Sequence, residues 1–284
     1  MQSVVVTGVS TGIGWGIAKV MTAKGFRVFG SVRKQADADR LKAELGERFS
    51  PLLFDVTDEA AIGRGAAAVR AALNGERLWG LVNNAGIAVA GPLLESTAEE
   101  FRHQLEVNLV APMMVIKAFA PLLGTDRALT GPPGRIVNIS SVGGRFAAPF
   151  VGLYAASKHG LEGLSQSLRR ELMLFGIDVI IVAPGSVATP IWDKAEQIDL
   201  APFQKSPYFE IIKRFRDYMI SEGRKGWSSE RLGEVVCEAL TAARPKTRYS
   251  PVAGRFQNWT LPTTLPARVV DRIVAKTFGI RPSV

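Results

Sequence analysis

Ser3-Val4-Val5-Val6-Thr7-Gly8-Val9-Ser10-Thr11-Gly12-Ile13-Gly14 opens as a β-branched run, halts at Gly8, and carries glycines again at 12 and 14. A helical pattern follows to about Lys24, with Ile17, Ala18, Val20 and Met21 at its apolar positions. Glycines let the turn tighten and a ligand come close to the backbone. The helix start then offers unpaired N–H groups and a positive dipole end to a pyrophosphate. The spacing is G-x-x-x-G-x-G, not the G-x-G-x-x-G of the commonest dinucleotide fingerprint. Alone, a glycine-rich turn is often only a turn; between strand and helix it predicts nucleotide binding.

Working outward, Gly25 is placed to end that helix, and 26–32 reads as a second buried strand. Strand-like runs recur at 51–55, 79–83, 135–140 and 177–183, separated by helix-length segments at 36–46, 58–74, 97–123 and 153–175. Six strands alternating with helices predict an α/β, doubly wound Rossmann-type parallel sheet with helices on both faces, in a single domain over 1–284. Pro112 falls inside a helical run, which must bend there or restart just before it. By composition, 124–134 is a surface loop. Residues 191–227 mix aromatic side chains with charges, which suits a substrate lid or a cap that completes the core. Within and beyond it, helices are expected at 207–221, 228–242 (capped by Ser228 or Ser229) and 266–278, and a last strand at 248–252. The 266–278 segment is amphipathic, with Val269, Val270, Ile273, Val274 and Phe278 on one side; packing is favoured over peripheral membrane contact.

Hydrophobic residues make up 47% and charged residues 21% of the 284, which excludes a disordered chain. The lone Cys237 excludes a disulfide framework. His103 and His159 lack ligand spacing, so no metal site is expected. The net charge is +9 without a dense basic run, so a solvated basic surface is preferred to nucleic-acid binding. No run approaches ~18 uninterrupted apolar residues and the start does not read as a signal peptide, so a cytoplasmic location is expected.

The chemistry concentrates in Ser140-Ser141-Val142-Gly143-Gly144 and Tyr154-Ala155-Ala156-Ser157-Lys158. Residues 154 and 158 share a helix face. A lysine cation about 4 Å from the phenol, at an effective dielectric near 20, favours the phenolate by roughly 4 kcal/mol. That brings tyrosine toward the working range of a general acid/base, while Ser141 offers a hydroxyl to a substrate oxygen. Most Tyr-x-x-x-Lys pairs are solvated faces; the glycine turn is what raises this one. An acidic residue about 20 positions after the turn would select NAD. The strand end reads Gly30-Ser31-Val32-Arg33-Lys34 instead, and its two cations suit a 2′-phosphate, hence NADP(H) rather than NAD(H).

Thr7–Gly14, Asn83-Asn84-Ala85-Gly86, Asn108, Ser141, Tyr154, Lys158 and Pro184-Gly185, in this order, resemble the single-domain branch of the short-chain dehydrogenase/reductase family over residues 1 to about 190. The serine 13 positions before the tyrosine matches the family pattern. The resemblance implies an NADP(H)-dependent oxidoreductase with Asn108, Ser141, Tyr154 and Lys158 as catalytic residues. Gly8, Ser10, Thr11, Gly12, Ile13 and Gly14 would form the phosphate turn and Arg33 would meet the 2′-phosphate. Asp55 and Val56 would contact adenine, and Asn83, Ala85 and Gly86 would close its ribose side. Pro184, Gly185, Val187 and Thr189 would line the nicotinamide. Tyr154 and Lys158 would also touch the cofactor, Lys158 at the nicotinamide ribose. Asn108 would anchor a water leading from Lys158 to solvent.

Ser141-Val142-Gly143-Gly144 and Arg33 are similar to hydroxysteroid and retinol dehydrogenase-like members. With the apolar loop after Ser141, they imply a lipophilic secondary alcohol or ketone against Ser141, Phe146, Phe150, Tyr154 and Trp192. A homodimer or homotetramer is implied too. Two rival readings are a sugar-nucleotide epimerase, disfavoured by the glycine spacing, and a non-catalytic NADP(H)-binding regulator or scaffold, disfavoured by the complete Ser–Tyr–Lys set.

Overall fold

The structure, a computed structural model, describes residues 1–281, apart from the side chain of Gln257. Its centre is a seven-stranded parallel sheet in the order β3-β2-β1-β4-β5-β6-β9. The strands are β1 (Ser3–Val6), β2 (Arg27–Val32), β3 (Phe49–Leu53), β4 (Gly80–Asn83), β5 (Arg135–Ile139), β6 (Asp178–Val182) and β9 (Arg248–Tyr249). A small pair, β7 (Val187–Ala188) and β8 (Trp227–Ser228), lies outside it.

Six sheet strands were expected; the seventh, β9, is the run anticipated at 248–252, cut to two residues that pair with Ile181 and Val182 of β6. The third strand begins two residues early, because the register that pairs Val28 with Phe49 continues through Pro51 at the sheet edge.

The alternation along β1 explains the two layers. Val4 and Val6 enter a core with Ile17 and Met21 of α1 (Gly12–Ala23), Leu41 of α2 (Gln35–Leu45) and Leu232, Val236 and Leu240 of α9 (Ser229–Thr241). Val5 enters the opposite core, with Ile62 and Val69 of α3 (Glu59–Leu73) and Val115 and Phe119 of α5 (Ala111–Ala120). Helix α6 (Gly152–Glu171) covers that face beside β5 and β6. Ser228 caps α9 by accepting from the Arg231 amide.

The helix begins again just before Pro112, at Ala111, the second of the two outcomes its sequence allows. Between α4 (Ala98–Leu105) and α5 the chain widens into one π-helical turn, Glu106–Val110, and the Ala111 amide reaches the Glu106 carbonyl. The proline then falls in the first turn of α5, where its missing N–H costs little. By length and apolarity alone the Ala98–Thr125 run is also able to cross a bilayer, but 56% of its 18-residue apolar window is buried inside this fold.

The 191–227 region forms α7 (Ile191–Glu196), a short 3-10 turn at Ala201–Phe203 and α8 (Phe209–Arg224). Ile212 and Phe215 of α8, Phe150, and Phe278 of α11 (Ala267–Phe278), which follows the one-turn α10 (Leu261–Thr264), form a third apolar cluster. The apolar side of α11 is therefore divided: Val274 and Phe278 pack inward, while Val269 and Ile273 are exposed.

Candidate functional site

The strand order reverses between β1 and β4, and the chain ends of these two strands are stitched together there. Thr7 Oγ1 accepts from the amides of Asn84 (3.0 Å) and Ala85 (3.1 Å). The Asn84 side chain donates to the carbonyls of Thr7 (2.9 Å) and Gly8 (3.0 Å). Gly8 and Gly12 both hold positive φ, 69° and 62°. A Cβ on Gly8 would meet the Ala85 Cα at 2.9 Å, and one on Gly14 would run into the Gly8 carbonyl.

Thr11 precedes α1 without a side-chain cap, and the first turn of α1 carries no acidic residue. Its first amides are thus left for an anion, in a crevice at the switch point of the sheet. Across from it, the Thr189 side chain lies 3.5 Å from where a Gly12 Cβ would stand, so the loop Pro184–Pro190 faces the glycine turn. These residues fit a dinucleotide diphosphate.

At the end of β2, Ser31 Oγ accepts from the Gly8 amide (2.9 Å) and Arg33 points outward, 3.8 Å from Asp55. Burial pushes the Asp55 carboxyl up, but the Thr57 amide and hydroxyl, helped by Arg33, bring it below the usual range. Val56 is buried next to Asp55. Asn83 turns its side chain into a buried polar chain instead: it donates to Asn138, which donates to Ser165. Gly86 lies against the Asn108 side chain.

Ser141, Tyr154 and Lys158 come together at the end of β5. Ser141 begins a tight turn, its Oγ accepting from the Gly143 amide at 3.0 Å, and that turn presses on the Tyr154 ring. Lys158 is buried, donates to the Ile139 carbonyl at 2.9 Å and has its Nζ 5.7 Å from the Tyr154 ring centre.

The lysine does not lower the tyrosine as its spacing on the helix implies. Burial raises the Tyr154 phenol above its ordinary value, and the Ser141 hydroxyl pulls it back only in part. The same burial lowers Lys158 to about 8. Helical spacing alone cannot show this, because desolvation acts on both groups and opposes the charged form of each.

A folded-state value below the unfolded one means the protonated lysine disfavours folding at and below pH 8. That penalty is lifted as pH rises from 8 toward 10.5. Measured by urea unfolding, wild-type stability relative to Lys158→Met is expected to rise by about 2–3 kcal/mol between pH 7 and 10. A flat difference would mean that Lys158 is solvated.

Asn108 lies in the π-turn, fully buried, and its amide is wholly engaged. It accepts from the Ile87 amide (2.9 Å) and donates to the Ile87 carbonyl (2.9 Å) and Ser157 Oγ (3.1 Å).

In the loop between Ser141 and Tyr154, Phe146 is half-buried and Phe150 closes the loop with φ 62°. That left-handed backbone is held by the Gly91 amide on its carbonyl (2.7 Å) and by edge contacts of its ring with Tyr208 and Phe215, centres 5.9 and 5.5 Å apart. Trp192 is engaged differently: its Nε1 donates to the Val187 carbonyl (2.7 Å) and its ring lies on Gly223 of α8.

Four residues at this end of the sheet escape a reading by motif. Asn84 pins the glycine turn, and Arg40 of α2 donates to the Ser10 carbonyl at 2.6 Å. Glu162 and Arg248 form a buried ion pair behind Ser140. Only Asn84 had a signal, its place inside Asn83–Gly86.

Comparison with known proteins agrees with this geometry. The short chain dehydrogenase family model matches residues 2–199. The NADPH-dependent 3-dehydrocapnine reductase of Ornithobacterium rhinotracheale is 36% identical over 277 residues, 97% of each chain. Retinol dehydrogenase 5 of Mus musculus is 35% identical over 290 residues, covering 95% of this chain and 86% of that protein. A short-chain dehydrogenase structure from Streptomyces avermitilis superposes with a TM-score of 0.74 at 27% identity, over 97% of this chain and 94% of that one. With the parallel sheet, the family-model match and full-length relatives in accord, the chain belongs to the short-chain dehydrogenase/reductase family of oxidoreductases.

Proposed function

We propose that this protein is an NADP(H)-dependent oxidoreductase that interconverts a lipophilic secondary alcohol and its ketone at Ser141, Tyr154 and Lys158. The observation that carries the reading is the meeting of these three side chains beside an uncapped, glycine-lined helix start at the switch point of the sheet. The bound nicotinamide would supply or accept the hydride. Ser141 and Tyr154 would hydrogen-bond the substrate oxygen and stabilise the negative charge that develops there in reduction. Tyr154, a neutral phenol at pH 7 that burial moves further from ionising, holds the proton that this oxygen then needs. Lys158 would hold the nicotinamide ribose and return a proton to the phenol. Asn108 would hold the water that connects Lys158 with solvent.

Support for NADP(H) comes from the end of β2, where Arg33 and Lys34 stand in place of a carboxylate, and from the NADPH-dependent relative. An exposed pair such as Arg33–Asp55 contributes ~1 kcal/mol at most, so a 2′-phosphate competes for that arginine readily. The cluster of Phe150, Ile212, Phe215 and Phe278 beside the site, and the retinol dehydrogenase among the relatives, support a lipophilic substrate. Exposed Phe101, Val110 and Met113 on α4, the π-turn and α5 support self-association.

The test is NADPH absorbance followed against 3-dehydrocapnine, retinaldehyde, steroid ketones and 3-oxoacyl compounds, with NADH alongside. Joint replacement of Arg33 and Lys34 by alanine is expected to weaken NADPH binding about tenfold or more and leave NADH binding unchanged. Equal loss for both cofactors, or a wild-type preference for NADH, removes the 2′-phosphate assignment.

A further inference from the structure

Glu162 stands one helical turn beyond Lys158 and two beyond Tyr154, on the same face of α6, and it is buried. Ser140 Oγ donates to its Oε1 at 2.9 Å, Arg145 Nε approaches its Oε2 at 3.4 Å, and Arg248 from β9 pairs with Oε1. A Cβ on Gly144 would fall 2.5 Å from the same Oε1 and 2.7 Å from Ser140 Oγ, so the loop is pressed against the carboxylate. Arg248 is steered in turn: its Nε donates to Ser250 Oγ at 3.1 Å, and its guanidinium centre lies 5.0 Å from the buried Trp259 ring. Nη1 meets Glu162 outside hydrogen-bond alignment, and Nη2 finds no acceptor among the described residues.

A buried ion pair is poor value as a source of stability, since apolar side chains of the same volume do as well or better. Its effect here is positional. Ser140 is the neighbour of Ser141, and Glu162 belongs to the helix that carries Tyr154 and Lys158. The carboxylate therefore fixes the gap between the loop with the serine and the helix with the other two groups.

We propose that Glu162, clamped by Arg248, is a positioning residue that holds Ser141 in register with Tyr154. Through Trp259 the same clamp ties the site to chain beyond residue 199, where the family-model match ends. The inference rests on the oxidoreductase reading above.

Its test is a single turnover: excess enzyme charged with NADPH is mixed with whichever carbonyl compound of the panel is reduced fastest. The rate constant reports on the chemical step and the amplitude on the fraction of competent sites. Ser140→Ala and Glu162→Leu are expected to lower the rate constant by about tenfold or more, with NADPH affinity within about threefold. Arg248→Met should follow them, and Glu162→Gln, which still accepts from Ser140, should fall between. A clamp that served folding alone would reduce amplitude and leave the rate constant at the wild-type value. That result in Ser140→Ala, the mildest variant, overturns the proposal even if Glu162→Leu does not fold. Tyr154→Phe is run beside them. If it keeps the wild-type rate, or no carbonyl compound is reduced at all, the oxidoreductase reading has failed and the positioning role with it. If Tyr154→Phe is dead and the clamp variants are not, only the positioning role has failed.

Discussion

Tyr154→Phe is expected to lose about a thousandfold or more in turnover while binding NADPH within about threefold of wild type. The phenylalanine ring fills the same space against Gly143 and Lys158, so the packing that surrounds it survives. What disappears is the phenolic proton, with one of the two hydroxyls that the proposed mechanism directs at the substrate oxygen. A developing alkoxide without a proton donor must wait for water, which costs about 4 kcal/mol or more at that rate loss. Cofactor titration by fluorescence and a turnover assay on the same preparation separate the two quantities. Retention of more than about a tenth of the wild-type rate, a loss under ~1.4 kcal/mol, would remove Tyr154 from the chemistry.

The contrast between what was legible in the chain and what was not follows from the range of the interactions. The strand–turn–helix at the N-terminus and the strand–helix alternation are local patterns, and the structure has both because a helix or strand imposes its own period. Capping by Ser228 is local in the same sense. The Glu162–Arg248 pair joins residues far apart in sequence, each of which alone resembles a solvated surface charge. Nothing short of the β6–β9 pairing brings them together. The direction of the Tyr154 shift is hidden in the sequence for a related reason. Spacing on a helix tells which charges are near, whereas burial depends on the whole fold and here sets the direction. Pro112 shows an intermediate case: the conflict with a helix is visible in the sequence, but not its resolution by a π-turn at Glu106–Val110, where Asn108 also meets Ile87 and Ser157 from distant parts of the chain.

A second large effect is expected at the crossing of α1 and α9, which fixes where the glycine turn points. Gly16 and Gly233 face each other there. A Cβ on Gly16 would run into the Ser229 carbonyl, and one on Gly233 would come within 2.7 Å of the Gly16 carbonyl oxygen. Exchanging glycine for alanine inside a helix ordinarily stabilises by up to ~1 kcal/mol, through propensity and the entropy of the unfolded chain. At Gly16 the obstacle is backbone rather than a yielding side chain, so the helices must separate. The apolar contacts of Ile17 and Met21 with Leu232, Val236 and Leu240 then loosen. Overpacking of this kind costs about 1–3 kcal/mol, and a β-branched side chain adds to it. Gly16→Val is therefore expected to destabilise by about 3 kcal/mol or more, and Gly16→Ala by about 1–2 kcal/mol, read as lower urea midpoints. Gly63 on α3 is the control, because no atom lies within 4 Å of its added Cβ. Gly63→Ala should move the midpoint upward by the propensity term alone. The same substitution thus takes opposite signs at two helical glycines, and equal shifts at both would mean that the close approach of α1 to α9 is wrong. Because the amides of α1 that face the crevice ride on that helix, a Gly16→Ala protein that still folds should also bind NADPH more weakly, which Gly63→Ala should not.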